Sequence, residues 1–241
     1  MNIELYLTPH PFHKINVEGK TVVVIDVLRA STSICQALAS GAKAVIPMAG
    51  HGLAGDMWTK IGPETAVLAG EQNGIKLDNF QLGNSPLEFT EESVKDKFVI
   101  LSTTNGTPLF EKSKNAALVI TCGIVNVSSV TKRIIETEND IIIACSGKDG
   151  QFSLEDTLCG GLLIESIKNS YSKEVDLNDA GKMAHLFFKT REQDLAFSVS
   201  QGEHGKYLNS IGFSDDVTFS SKVDSIPIIP VLKDGKLVLD S

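Results

Sequence analysis

The sequence predicts an α/β fold with a largely parallel sheet, and three observations carry that prediction. Within Thr21-Val22-Val23-Val24-Ile25, four consecutive residues are apolar rather than alternate ones, as expected of a strand covered on both faces. Short apolar runs recur at residues 66–69, 98–101, 117–120 and 141–144, and several lead into polar turns. Segments with helical periodicity lie between several of these runs, and strand–helix alternation is the pattern of βα units.

Taken in order, Met1-Asn2-Ile3-Glu4-Leu5-Tyr6-Leu7 alternates apolar and polar residues and reads as a half-buried strand. After the strand at 21–25, Ser31 or Thr32 is a good N-cap for a helix that buries Ile34, Ala37 and Leu38 and stops at Gly41. Ala44-Val45-Ile46 is the next strand. The run at 66–69 leads into Gly70-Glu71, and that at 98–101 into Ser102-Thr103-Thr104-Asn105-Gly106-Thr107. The strand at 117–120 precedes a helix with Val127, Val130 and Ile134 on its buried face. The strand at 141–144 precedes Ser146-Gly147-Lys148-Asp149-Gly150 and a helix from about Ser153 that carries Leu154, Leu158 and Leu162. Residues 178–200 read as helical, with Met183, Ala184, Phe187 and Phe188 as a core stripe. Residues 231–239 read as a hairpin turning on Asp234-Gly235.

The 241 residues carry 30 acidic and 22 basic side chains, a net charge of −8 that argues against nucleic acid as the main partner. No stretch is apolar enough for a membrane span, and the N-terminus lacks the basic-then-apolar order of a signal peptide. Four cysteines without a Cys-x-x-Cys pair read as reduced thiols of a cytoplasmic protein. There is no Gly-x-x-x-x-Gly-Lys-Ser/Thr loop, no Gly-x-Gly-x-x-Gly and no His-Glu-x-x-His. Gln151 stands six positions after Cys145, where a cysteine phosphatase needs Arg, and no Asp-x-Asp pair follows a strand.

The chemistry therefore falls to polar clusters at the ends of the apolar strands, where open parallel sheets bind ligands. Strands running the same way would bring these clusters to one rim. Arg29 is one of only three arginines and lies just beyond a buried strand, suited to clamp an oxyanion or to pair with Asp26. Asp26 fits a metal ligand, a nucleophile or a partner for Arg29. Glu155 and Asp156 fit metal ligands, yet Ser153-Leu154-Glu155-Asp156 also has the form of a capping box. Asn105-Gly106 by itself is a tight turn. His204 is the best histidine for proton transfer or anion contact.

In series, these clusters resemble the 2-phosphosulfolactate phosphatase family, also called the ComB family. The matching segments are Val24-Ile25-Asp26-Val27-Leu28-Arg29-Ala30-Ser31-Thr32, Gly70-Glu71, Leu82-Gly83-Asn84-Ser85-Pro86-Leu87-Glu88 and Thr103-Thr104-Asn105-Gly106-Thr107. They continue with Phe152-Ser153-Leu154-Glu155-Asp156-Thr157-Leu158-Cys159, His204-Gly205 and Asp215-Asp216. Lys206 departs from the Arg that often follows His-Gly, and Gln72-Asn73 interrupts a stretch usually richer in glycine.

The resemblance implies two similar, intertwined three-layer α/β/α units, taken as residues 1–130 and 131–241 with the C-terminal hairpin in the second. It implies a Mg²⁺-dependent phosphatase that converts 2-phospho-3-sulfolactate to 3-sulfolactate and phosphate, a step of coenzyme M biosynthesis; the oligomeric state is open, a homodimer being one option. The expected catalytic residues are Asp26, Arg29, Glu71 and His204, and Asp26, Glu71, Glu155 and Asp156 are the expected Mg²⁺ ligands. Ser31, Thr32, Asn84, Ser85, Thr104, Asn105 and Gly106 are expected to hold phosphate or sulfonate. Two alternatives stand beside this reading. One is a phosphatase of the same fold for another small phosphorylated carboxylate; the other is a non-catalytic anion-binding module.

Overall fold

A computed structural model describes residues 1–12 and 14–240. The strands are β1 (Asn2–Tyr6), β2 (Thr21–Ile25), β3 (Ala44–Pro47), β4 (Ala66–Gln72), β5 (Ile75–Lys76) and β6 (Phe98–Ser102). They continue as β7 (Leu118–Cys122), β8 (Ile141–Cys145), β9 (Asp176–Leu177), β10 (Pro230–Lys233) and β11 (Lys236–Leu239). Among the described residues they form one ladder in the order β5-β4-β6-β3-β11-β10-β7-β2-β8-β1-β9.

Two parallel blocks make up this ladder. In one, β2 pairs with β7 and β8, and β1 pairs with β8 and β9; in the other, β6 pairs with β3 and β4. The antiparallel hairpin β10–β11 joins them, meeting β7 at Val231–Ile120 and β3 at Leu237–Val45. Three successive antiparallel pairings reverse the strand direction, so the blocks run in opposite senses along the ladder. The single rim of like-directed strand ends that the sequence predicts does not form, because the hairpin reverses one block relative to the other. A flat sheet would separate the carboxyl ends of the two blocks, yet residues following β2, β4, β6 and β8 line one cavity. The sheet must therefore bend strongly, and the two single-pair junctions beside the hairpin are where the ladder is weakest.

The side-chain pattern explains the bend. On β2, Val23 and Ile25 join one apolar cluster while Val22 and Val24 join another, the period-two division of a strand buried on both faces. Val45, Val99 and Leu101 of the other block belong to that second cluster, together with Ile34, Ala37 and Leu38. The helix Ala30–Ala39 thus sits in a core shared by both blocks. The far face of the larger block is covered by the helices Val127–Thr137 and Leu154–Ser170, which bury Val130, Ile134, Leu158 and Ile167. The far face of the smaller block is covered by the helix His51–Ile61, around Ala54 and half-buried Trp58. The hairpin turns as expected, with Asp234 and Gly235 both at positive φ, as a two-residue turn of this kind requires.

Several local expectations change. Neither Ser31 nor Thr32 caps its helix, which starts at Ala30; Asp26 Oδ1 accepts the Ala30 N–H instead. Ser153 stands at the N-cap of Leu154–Ser170 without a side-chain capping bond, so the capping box is not formed. The helical stretch near 178–200 is broken into Asp179–Arg191, a 3₁₀ turn and Leu195–Gln201. Met183 of the expected core stripe faces out, being 43% exposed, whereas Ala184 and Phe188 are buried. Among the described residues no helix is long and apolar enough to cross a membrane.

Candidate active site

Asp26 immediately follows β2, at the edge of a cavity of about 290 Å³. Its backbone and side chain wind the following turn: the Asp26 N–H donates to Ser31 Oγ at 2.9 Å, Ser31 N–H donates to Asp26 O, and Ala30 N–H donates to Oδ1 at 3.2 Å. Burial pushes the Asp26 carboxyl up to about 6, and the negative charge of Glu71 adds to this, while the nearby His204 and the Ala30 N–H oppose it. Gly106 packs against this carboxylate: a Cβ there would lie 2.4 Å from Asp26 Oδ2. The φ of Gly106 is −74°, so no positive φ demands a glycine; the close approach does. The expectation of a simple Asn-Gly turn is replaced by a steric role.

Arg29 is 3% exposed and borders the same cavity. Its guanidinium pairs with Asp216 (Nη1 to Oδ2, 2.7 Å) rather than with Asp26, donates from Nη2 to Gly74 O at 2.5 Å, and lies 4.4 Å above the Phe213 ring. Asp216 also accepts from Ser85 Oγ at 2.6 Å. The fork is thereby fixed in orientation, with three of its five N–H groups left over from these two bonds. Glu71 reaches the cavity from β4. Its Oε2 accepts from Gly74 N–H at 2.7 Å, and Oε1 accepts from Thr104 N–H and Oγ1 at 3.1 and 3.3 Å.

Asn84, Thr104, Asn105 and His204 complete the predicted residues on the cavity wall. Asn105 Oδ1 accepts from Asp149 N–H at 3.2 Å, tying the loop after β6 to the loop after β8. His204 Nδ1 stands 3.3 Å from Glu155 Oε1. Thr103, Lys148 and Asp149, which lie in strand-end turns marked by the sequence but given no role of their own, also line the wall, as does Tyr207, which the sequence does not single out. Lys148 lies 5.0 Å from the Tyr207 ring centroid and 3.9 Å from Asp149. Its position just beyond β8 is a signal the strand-end rule could have used. Thr103 Oγ1 and Asn84 Oδ1 are buried without hydrogen-bond partners among the described residues, which marks them as groups awaiting a partner.

Other predicted residues have internal duties. Ser31 Oγ is shared between Asp26 N–H and Thr121 Oγ1, and Thr32 Oγ1 donates to Val27 O. Ser85 Oγ is spent on Asp216 and on the Leu87 N–H. These three hydroxyls brace the site and do not line it. Asp156 is likewise internal: Oδ1 accepts from Val27 N–H, and Oδ2 accepts from Ser146 Oγ and Gly147 N–H at 2.9–3.1 Å. Burial, with the charges of Asp26 and Glu155 behind it, holds the Asp156 carboxyl well above the usual range. Glu155 lies behind His204, on an adjoining cavity of about 450 Å³.

The four carboxylates expected to hold a metal are therefore not gathered at one point. Among the described residues no three His, Cys, Asp or Glu side chains form a ready metal cluster. Asp26 and Glu71 alone of the four reach the central cavity. That pair still suits Mg²⁺, which typically takes one or two carboxylates and completes its shell with water and phosphate oxygens. Their mutual repulsion, felt in the raised Asp26 carboxyl, is what a cation would relieve.

Residues 6–235 match the family model of 2-phosphosulpholactate phosphatase. The chain belongs to that family. A probable 2-phosphosulfolactate phosphatase of Caldanaerobacter subterraneus subsp. tengcongensis is 37% identical over 98% of this chain and 97% of its own length. One from Carboxydothermus hydrogenoformans is 36% identical over 100% and 98%, and one from Thermotoga petrophila 36% over 92% and 93%. Membership of this family makes the protein an enzyme, a phosphoric monoester hydrolase.

Proposed function

We propose that the enzyme hydrolyses 2-phospho-3-sulfolactate to 3-sulfolactate and inorganic phosphate with Mg²⁺, as a cytoplasmic step of coenzyme M biosynthesis. The observation that carries the reading is one cavity where three carboxylates, Asp26, Glu71 and Asp149, meet three potential cations, Arg29, Lys148 and His204. A substrate with phosphate, carboxylate and sulfonate groups needs cationic partners, and a phosphoryl transition state needs its charge met by fixed groups. Four buried cysteines, all free, support a reducing compartment. The two parallel blocks and their shared core support a reading of the chain as two similar, intertwined α/β units.

Asp26 and Glu71 would hold Mg²⁺, which when bound supplies charge neutralisation at the phosphoryl oxygens. The remaining work belongs to the chain. Arg29, fixed by Asp216 and Gly74, and Lys148 bind the anionic groups, while Asn84 and Thr103 border the same wall. His204, with Nδ1 on Glu155, gives the proton that the leaving oxygen takes. The water oxygen bonds to phosphorus, and the P–O bond to the C2 oxygen breaks with its electron pair passing to that oxygen. The second proton of water restores the imidazolium, so phosphomonoester and water become alcohol and phosphate.

Phosphate release from 2-phospho-3-sulfolactate, compared with other phosphomonoesters at saturating Mg²⁺, tests the assignment. The expected result is the highest kcat/KM on the sulfonated substrate. A higher value on a phosphorylated carboxylate without sulfonate would reassign the substrate. Rapid-quench trapping tests the water attack: an acid-stable phosphate label on the protein would replace it with attack by Asp26.

A further inference from the structure

Glu155 touches the proposed chemistry only through its contact with the His204 ring. It is 1% exposed, in the first turn of the helix Leu154–Ser170. Its Oε1 faces His204 Nδ1 at 3.3 Å, and its Oε2 has no hydrogen-bond partner among the described residues. A buried carboxylate is costly to desolvate and is retained where a partner compensates it. The imidazole is the partner in view. A capping box does not explain the residue, because Glu155 stands at N2 and the N3 position of a box opened by Ser153 is Asp156.

We propose that Glu155 is the positioning residue of His204, fixing the imidazole through Nδ1 so that Nε2 serves the leaving oxygen, and that Glu155 ligates no metal. This inference rests on the reading of His204 as proton donor. Three arrangements support it. Glu155 borders the adjoining cavity, with His204 between it and the chamber of Asp26 and Glu71. His204 lies in the first turn of the helix Glu203–Ser210, two residues after the N-cap Gly202. Gly202 admits the carboxylate: a Cβ there would lie 3.1 Å from Glu155 Oε2, while its own φ and ψ of −59° and 154° suit any residue. Gly202→Ala is therefore a steric probe of this contact that leaves Glu155 in the sequence.

The test is steady-state kinetics on 2-phospho-3-sulfolactate with Mg²⁺ titrated, for wild type, E155Q, H204A, the double variant and G202A. General acid catalysis contributes roughly 10²–10⁴-fold, so misdirecting the acid in E155Q should lower kcat about 10- to 100-fold, with KM and half-saturating Mg²⁺ changed less than about 2-fold. In the H204A background E155Q should cost nothing further, because Glu155 acts only through the ring. G202A should lower kcat in the same sense by a smaller factor, and it serves as the second probe if E155Q does not fold. Three results would overturn the proposal: a folded E155Q with wild-type kcat, a rise of about tenfold or more in the Mg²⁺ requirement, or losses that multiply in the double variant. A wild-type enzyme that releases no phosphate from this substrate overturns the functional reading and this inference with it. Activity in the wild type and in E155Q alike overturns this inference alone.

Discussion

Asp26→Asn separates what the fold tolerates from what catalysis needs. Burial and Glu71 raise this carboxyl from 3.8 to about 6, and a tenfold change in proton affinity corresponds to about 1.4 kcal/mol. The ionised side chain therefore costs the fold about 3 kcal/mol at neutral pH in the absence of metal. Asparagine keeps an acceptor for the Ala30 N–H and removes that cost. The folded carboxyl titrates above the unfolded one, so wild-type stability falls as pH rises from about 4 to about 6 and levels off beyond. Urea unfolding in EDTA should show variant and wild type alike near pH 4, with the variant more stable by up to about 3 kcal/mol at pH 8. Saturating Mg²⁺ should narrow or reverse the gap, because a ligand of the folded state stabilises it by mass action. Phosphate release by the variant should fall by about 10³-fold or more. A stability difference that ignores pH, or activity within tenfold of wild type, would overturn this reading of Asp26.

Other perturbations read other parts of the structure. Gly106→Ala places a methyl 2.4 Å from Asp26 Oδ2 at a backbone conformation alanine accepts, so circular dichroism should stay native while kcat drops by about 10²-fold. Asp156→Ala strips Val27 N–H, Ser146 Oγ and Gly147 N–H of their acceptor, and unfolding should show a loss of about 3 kcal/mol. Glu165 is held near 2 by hydrogen bonds from His185 and then Lys189. Its contribution is present above the ordinary value of 4.5 and is lost as pH falls toward 2. Glu165→Gln should cost at most about 1 kcal/mol at pH 6, with the difference closing by pH 2 in acid-unfolding curves.

Much of the fold is legible because its strands are buried on both faces. The runs at 22–25, 98–101 and 141–144 are unbroken apolar stretches, and the Asp234-Gly235 turn announces its hairpin. The two-residue edge strands Ile75–Lys76 and Asp176–Leu177 carry no such pattern, since they pair at the ladder's ends and are largely exposed. The opposite sense of the two blocks is set by the hairpin inserted between them, which nothing in a local window reveals.

At the site, residues adjacent to strand ends were found and their partners were not. Of the two readings of Arg29, an oxyanion clamp or a partner for Asp26, the second does not hold: its ion pair is with Asp216, 187 positions away. Glu155 and Asp156 are neighbours in sequence with separate duties, because successive positions on a helix point about 100° apart. Gly106 is glycine for the sake of a carboxylate 80 residues earlier, a reason that local turn preferences do not contain.

Whether the cavity around Asp26 hydrolyses a sulfonated phosphomonoester is decided most directly by phosphate release from 2-phospho-3-sulfolactate. The assay uses the purified wild-type enzyme in Mg²⁺, with Asp26→Asn as the control. Repeated turnover by the wild type and almost none by the variant is the expected outcome. No phosphate from the wild type, or equal release by both proteins, would contradict the proposed function.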